Sequence, residues 1–164
     1  MDTAYKIYAG ILDERLKAET ETKLEESQFG FRKGRGVSNA IFVINHIIDK
    51  QLSREKGKLH ACFADLKAAF NREEQVGGIV VGERMVWSLT YADDIVLMAD
   101  REEELKQMLK RFEKFLKETE LELSTEKTKM VVFEKRKNKK RQKKWKWEKR
   151  ELEEVEEIRY LEYI

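Results

Sequence analysis

Apolar residues recur along the chain with two different periods, and the switches between them mark out its elements. In residues 4–17, Tyr5, Tyr8, Leu12 and Leu16 are spaced by three and four, the repeat that lines one face of a helix. A second helix is expected after Ser38, a candidate N-cap, with Ile41, Ile44, Ile48 and Leu52 as its stripe and Gly57 as its stop. Asp100 and Glu103 have capping-box spacing ahead of the widest stripe in the chain, Leu105, Met108, Leu109, Phe112, Phe115 and Leu116. Between these helices the pattern turns continuous or β-branched. Residues 59–65, LHACFAD, read as a buried strand, and LKAAF after them as a helical turn. Residues 79–81 and 85–91, then 91–99, read as two hairpins, the second reversing through Ala92, Asp93 and Asp94, and a further strand ends near Phe133. Strand, helical turn, hairpins, helix and strand in that order predict an α+β domain, an antiparallel sheet packed on helices.

Three carboxylates stand out against this pattern. Asp65 closes an apolar strand, where a charge is costly unless it is paired, binds a metal, or caps the helical turn that follows. Asp93 and Asp94 occupy a tight turn between two apolar flanks; adjacent aspartates are ordinary turn formers, but these flanks are too apolar for a peripheral loop.

Charge adds a second theme. The net charge of +2 conceals 12 Lys/Arg against 7 Glu in residues 135–164, leaving −3 for residues 1–134. Residues 135–150 hold 11 of those basic residues together with Trp145 and Trp147, charge and ring faces suited to a nucleic-acid backbone and its bases, or else a solvated linker. Residues 27–37, SQFGFRKGRGV, pair three glycines with Arg32, Lys33 and Arg35, a loop that suits phosphate or is simply a solvated turn. A single cysteine, Cys62, excludes an internal disulfide and a multi-cysteine zinc site, and its apolar surroundings suit an inert thiol. His46 and His60 are assigned no chemistry. No apolar run nears the roughly 20 residues of a membrane helix, and no signal-peptide pattern opens the chain. The expectation is an intracellular protein with no membrane partner; the sequence sets no oligomeric state.

FADLKAAF, then YADD, then LSTEKTKMVVF resemble, in order, successive blocks of reverse transcriptases, and QFGFRKGRGVSNAI resembles the block joining fingers to palm in the non-LTR retrotransposon class. WKWEKRELEEVEEIRYLEYI is similar to the hairpin that follows the palm, so the likeness spans nearly the whole chain. It implies an RNA-directed DNA polymerase palm with two Mg²⁺ ions bridged by Asp65 and Asp93. Asp94 is then the supporting acid, and Tyr91 and Ala92 shape the turn. It also implies Phe70 under the incoming deoxynucleotide's sugar, Lys127 as the general acid for pyrophosphate, and Arg32 on template or primer phosphates. The implied partners are an RNA template, a DNA primer and deoxynucleotides. Divalent ions would activate the primer 3′-hydroxyl and stabilise the leaving group, work that calls for clustered hard carboxylates.

The chain departs from the family pattern in several places. Only 27 residues separate Asp65 from Asp93, where the family inserts a long helix and a block of glycine, leucine, serine and proline that positions template and nucleotide. A join near Asn71 to Gly77 accounts for that loss and for a chain with no proline. The fingers hairpin, thumb and endonuclease are not represented, Asn71 replaces an aspartate, and Glu162 replaces a glycine. The resulting expectation is connecting helices over 1–58, a partial palm over 59–134, and a basic segment with the palm-to-thumb hairpin over 135–164. Function is then that of a truncated, internally deleted and inactive polymerase fragment. The alternative is a non-enzymatic nucleic-acid-binding protein using the basic run, chiefly Lys143, Lys144, Trp145 and Trp147.

Overall fold

A computed structural model describes residues 3–24, 26–30, 32–66, 79–81, 84–86, 88–91, 93–135 and 144–161. Helix α1 (Thr3–Thr20) leads through a short 3₁₀ turn and a loop to α2 (Val37–Ser53). There follow β1 (Lys58–Asp65), β2 (Ile79–Val81), β3 (Arg84–Val86), β4 (Ser88–Tyr91), β5 (Asp94–Ala99), α3 (Glu102–Glu118), β6 (Lys129–Glu134), β7 (Trp145–Trp147) and β8 (Arg150–Val155). Six strands form one sheet in the order β4-β5-β1-β6-β8-β7, and β2 and β3 pair separately as a hairpin. The class is α+β, as expected. The sheet is antiparallel except where β6 runs parallel to β8, so it is mixed.

Strand β1 sits at the centre with both faces covered, which is why its sequence is continuously apolar instead of alternating. Cys62 and Ala64 face α3, packing with Leu105, Met108, Leu109, Phe112 and Leu116. Leu59, Ala61 and Phe63 face α2, packing with Ala40, Ile44 and Ile47. Burial holds the Cys62 thiol up at about 12, so it stays protonated and inert.

Helix starts differ from the capping expectations. Neither Ser38 nor Asp100 caps: α2 begins after Gly36, whose N–H donates to Asn39 Oδ1 at 3.0 Å, and α3 begins after Arg101 with no side-chain cap. The buried stripe of α2 is Ala40, Ile44, Ile47 and Gln51, turned by about one residue from the expected one. Gly57 stops the chain's turn by close approach, since a Cβ there would collide with the Gln51 carbonyl. Helix α1 is longer than expected, and Tyr5, Tyr8, Leu12 and Leu16 are all exposed.

Candidate active site

Asp65 ends β1, and the β4–β5 hairpin brings its turn alongside. In the ladder between β1 and β5 the partner of Asp65 is Asp94, and on the other side of β5 Asp94 pairs with Tyr91. The N–H of Leu66 donates to the Asp93 carbonyl at 3.1 Å. Alternation along the strands places Asp65 with Leu59, Ala61 and Phe63, and Asp94 with Val96 and Met98, all on the face that packs α2. All three aspartates are therefore gathered at one end of the sheet, where the central strand β1 ends beside the tip of the β4–β5 hairpin.

The electrostatics report the same crowding. The Asp94 carboxyl is pushed up to about 6, first by burial, then by the charges of Asp93 and Asp65, against an opposing pull from Lys127. Lys127 Nζ lies 3.1 Å from Asp65 Oδ2, with the lysine side chain 72% exposed and the aspartate 22%. Tyr160 is raised by burial and by the Asp94 charge, and its buried hydroxyl makes no hydrogen bond among the described residues. Packing of its ring on Phe63, centroids 5.2 Å apart, ties the C-terminal segment to this face.

Among the described residues no three His, Cys, Asp or Glu side chains form a ready-made metal cage. The donor set instead suits a hard cation that shares its shell with substrate oxygens: Mg²⁺ is commonly held by one or two carboxylates plus phosphates and water. Crowded carboxylates with a lysine drawn to one of them fit such a cation, and Asp65, Asp93 and Asp94 are the side chains that could hold it.

The remaining candidate residues divide. Arg32 and Arg35 are engaged within their own loop: Arg32 is paired to Glu21 at 2.7 Å with its side chain nearly buried, and Arg35 is paired to Glu26 at 2.7 Å and stacked over Phe29. That loop docks on the outer strand β4, with Phe29 N–H donating to the Thr90 carbonyl at 2.7 Å and Thr90 N–H to the Ser27 carbonyl at 3.0 Å. Lys33 is exposed on it. Lys144 is exposed and paired to Glu151 at 3.1 Å. Trp145 and Trp147 overturn the stacking expectation: they are 0% and 5% exposed, packed with α3, and Trp145 Nε1 donates to Glu154 at 2.7 Å. A spacing of two on a strand puts both indoles on one face, and that face is the core. Phe70, Asn71, Lys143, Glu162, Ala92 and the join near 71–77 lie outside the described residues.

A family model for reverse transcriptase (RNA-dependent DNA polymerase) matches residues 81–164, just over half of the chain. The chain belongs to the reverse transcriptase family. No match was found among curated proteins. Within this reverse transcriptase domain the family implies a nucleic-acid template and nucleotide substrates, and the matched span contains Asp93, Asp94 and Lys127. Asp65 precedes it and joins the site through the ladder. Pattern reasoning did not single out Thr128 or Ser124, both of which hydrogen-bond to the Asp65 backbone; small hydroxyl residues in a turn carry no signal of their own.

Proposed function

We propose that the chain is the palm of a non-LTR retrotransposon reverse transcriptase that keeps the cation-binding carboxylates of nucleotidyl transfer and has lost polymerisation. The carrying observation is the pairing of Asp65 with Asp94 in register, with Asp93 adjoining, at one end of a closed core. In this reading Asp65 and Asp93 would hold the Mg²⁺ ions, which when bound would lower the barrier to 3′-hydroxyl attack and leaving-group departure. The residues of the chain supply the rest: Asp94 adds negative charge behind the pair, Tyr91 flanks the turn, and Lys127 holds a proton near Asp65 for a departing pyrophosphate. RNA template, DNA primer and deoxynucleotides are the partners, with Phe70 at the sugar.

Loss of activity follows from the 27 residues between Asp65 and Asp93, too few for the template-positioning block. Substrate alignment commonly accounts for several kcal/mol of a barrier, and cation ligands alone do not provide it. The test is primer extension by the purified chain on an RNA template with deoxynucleotides and Mg²⁺. No product is expected, and extension that vanishes in Asp93→Asn would show that polymerisation persists. A purely nucleic-acid-binding role is weakened because both indoles are buried, leaving charge alone in the 135–150 run.

A further inference from the structure

Asp65 is paired on its β5 side but lies beyond the end of the ladder on its β6 side. The last paired residues of β1 and β6 are Phe63 and Lys129, and before Lys129 the chain turns away. Ordinarily the amide of a residue so placed is left to water. Here the Thr128 hydroxyl accepts the Asp65 N–H at 3.3 Å, and Thr128 is 0% exposed, so no solvent can take over the role.

The same turn grips the other backbone group of Asp65. Ser124 N–H donates to the Asp65 carbonyl at 2.9 Å, Thr128 N–H donates to the Ser124 carbonyl at 2.9 Å and closes the turn, and Leu123 bridges to Leu66. On the opposite side Leu66 is held by the Asp93 carbonyl. Between Ser124 and Thr128 sits Lys127, whose ammonium reaches the Asp65 carboxylate. A single turn thus fixes the donor and the acceptor of the Asp65 backbone and carries the cation that meets its side chain.

We propose that Thr128 is a positioning residue of the carboxylate site: through the Asp65 amide its hydroxyl sets the direction of the Asp65 carboxylate toward the bound cation and keeps the turn bearing Lys127 in reach. Thr128 touches no substrate or metal itself. The inference rests on the cation-binding reading above, and outer-shell partners of metal ligands commonly govern affinity by about 10–100-fold.

The experiment is a Mn²⁺ titration followed by electron paramagnetic resonance on the full chain, for wild type, Asp65→Asn, Thr128→Ser, Thr128→Val and Thr128→Cys, at a temperature where circular dichroism shows each folded. Wild type should bind Mn²⁺ in a manner that Asp65→Asn abolishes, and Thr128→Ser should bind nearly as tightly. Thr128→Val, which keeps the shape and removes the acceptor, should bind at least about tenfold more weakly. Amide exchange at Asp65 should quicken in Thr128→Val and stay slow in Thr128→Ser. A residue of merely structural importance would lower the melting temperature without changing Mn²⁺ affinity or distinguishing Ser from Val. If wild type binds no Mn²⁺ that depends on Asp65, the cation reading and this inference fall together. If wild type binds and Thr128→Val matches it, the inference alone falls. Should Thr128→Val not fold, Thr128→Cys, with a weak sulfur acceptor, decides: wild-type affinity in that variant overturns the proposal.

Discussion

Asp94 is a group that the fold tolerates at a cost, and replacing it with asparagine should make the chain more stable at neutral pH. Its carboxyl titrates near 3.8 in an unfolded chain and at about 6 in the fold, because burial and then the charges of Asp93 and Asp65 disfavour ionisation. The folded state therefore holds this proton more tightly than the unfolded state. The stability contributed by the neutral acid is fully present below about pH 4, is lost as pH rises through about 6, and is absent above. The gap is worth about 3 kcal/mol at full strength, and because Asp94 is only half-buried, solvent screening reduces it to about 1–2 kcal/mol. An asparagine side chain in its place mimics the neutral acid at every pH. Thermal or urea unfolding of the two proteins should coincide at pH 3.5 and separate at pH 7.5, where Asp94→Asn should melt about 2–8 °C higher. Comparing the two proteins at the same pH cancels the carboxylates remote from Asp94, and leaves the charge coupling of Asp94 with Asp93 and Asp65 as part of the measured difference. Millimolar Mg²⁺ should narrow the difference at pH 7.5 by stabilising the wild type through binding. An asparagine variant that is equally stable or weaker at pH 7.5, or one whose advantage is the same at both pH values, would refute the crowding argument.

Three further outcomes are expected. Gly57→Ala should destabilise the chain by about 1–3 kcal/mol in chemical unfolding, since the added Cβ strikes the Gln51 carbonyl and the turn after α2 must shift; a loss below a few tenths would mean that the turn yields freely. Trp145→Ala should cost about 3–5 kcal/mol as a core truncation, and any variant that remains folded should bind single-stranded RNA as well as wild type does. Replacing Lys139, Lys140, Arg141, Lys143 and Lys144 with Gln should flatten the salt dependence of RNA binding, by about 0.7 in log–log slope for each phosphate no longer neutralised; an unchanged slope removes the run from the binding surface.

What could be read from the sequence depended on how far each signal reaches. The packing face of helix α3 was legible though its cap was not, because five of its apolar residues at helical spacing are buried in one core and Phe115 is partly buried against it. In α2 the buried stripe turns one residue away, with the polar Gln51 buried in the place where Leu52 was expected, a rotation that apolar periodicity alone does not reveal. Periodicity identified α1 as a helix and said nothing of a partner, and its apolar stripe is exposed. The hairpin turn of Asp93 and Asp94 was visible locally. Its alignment with Asp65 was visible only through the resemblance, because a ladder between residues so far apart leaves no local mark. The tryptophans show the converse error: charge around Trp145 and Trp147 suggested ligand faces, whereas their shared parity on β7 was already a core pattern. The parallel pairing of β6 with β8 is a long-range choice on which the strands' own residues are silent.

The central claim, that Asp65, Asp93 and their neighbours still form a divalent-cation site, is tested most directly by paramagnetic broadening. Substoichiometric Mn²⁺ added to the isotopically labelled chain should extinguish the amide signals of Asp65, Leu66, Asp93, Asp94 and the Ser124–Thr128 turn first, and excess Mg²⁺ should restore them. Broadening that begins instead at exposed glutamates such as Glu151 and Glu153, or that spares the sheet end altogether, would contradict the account.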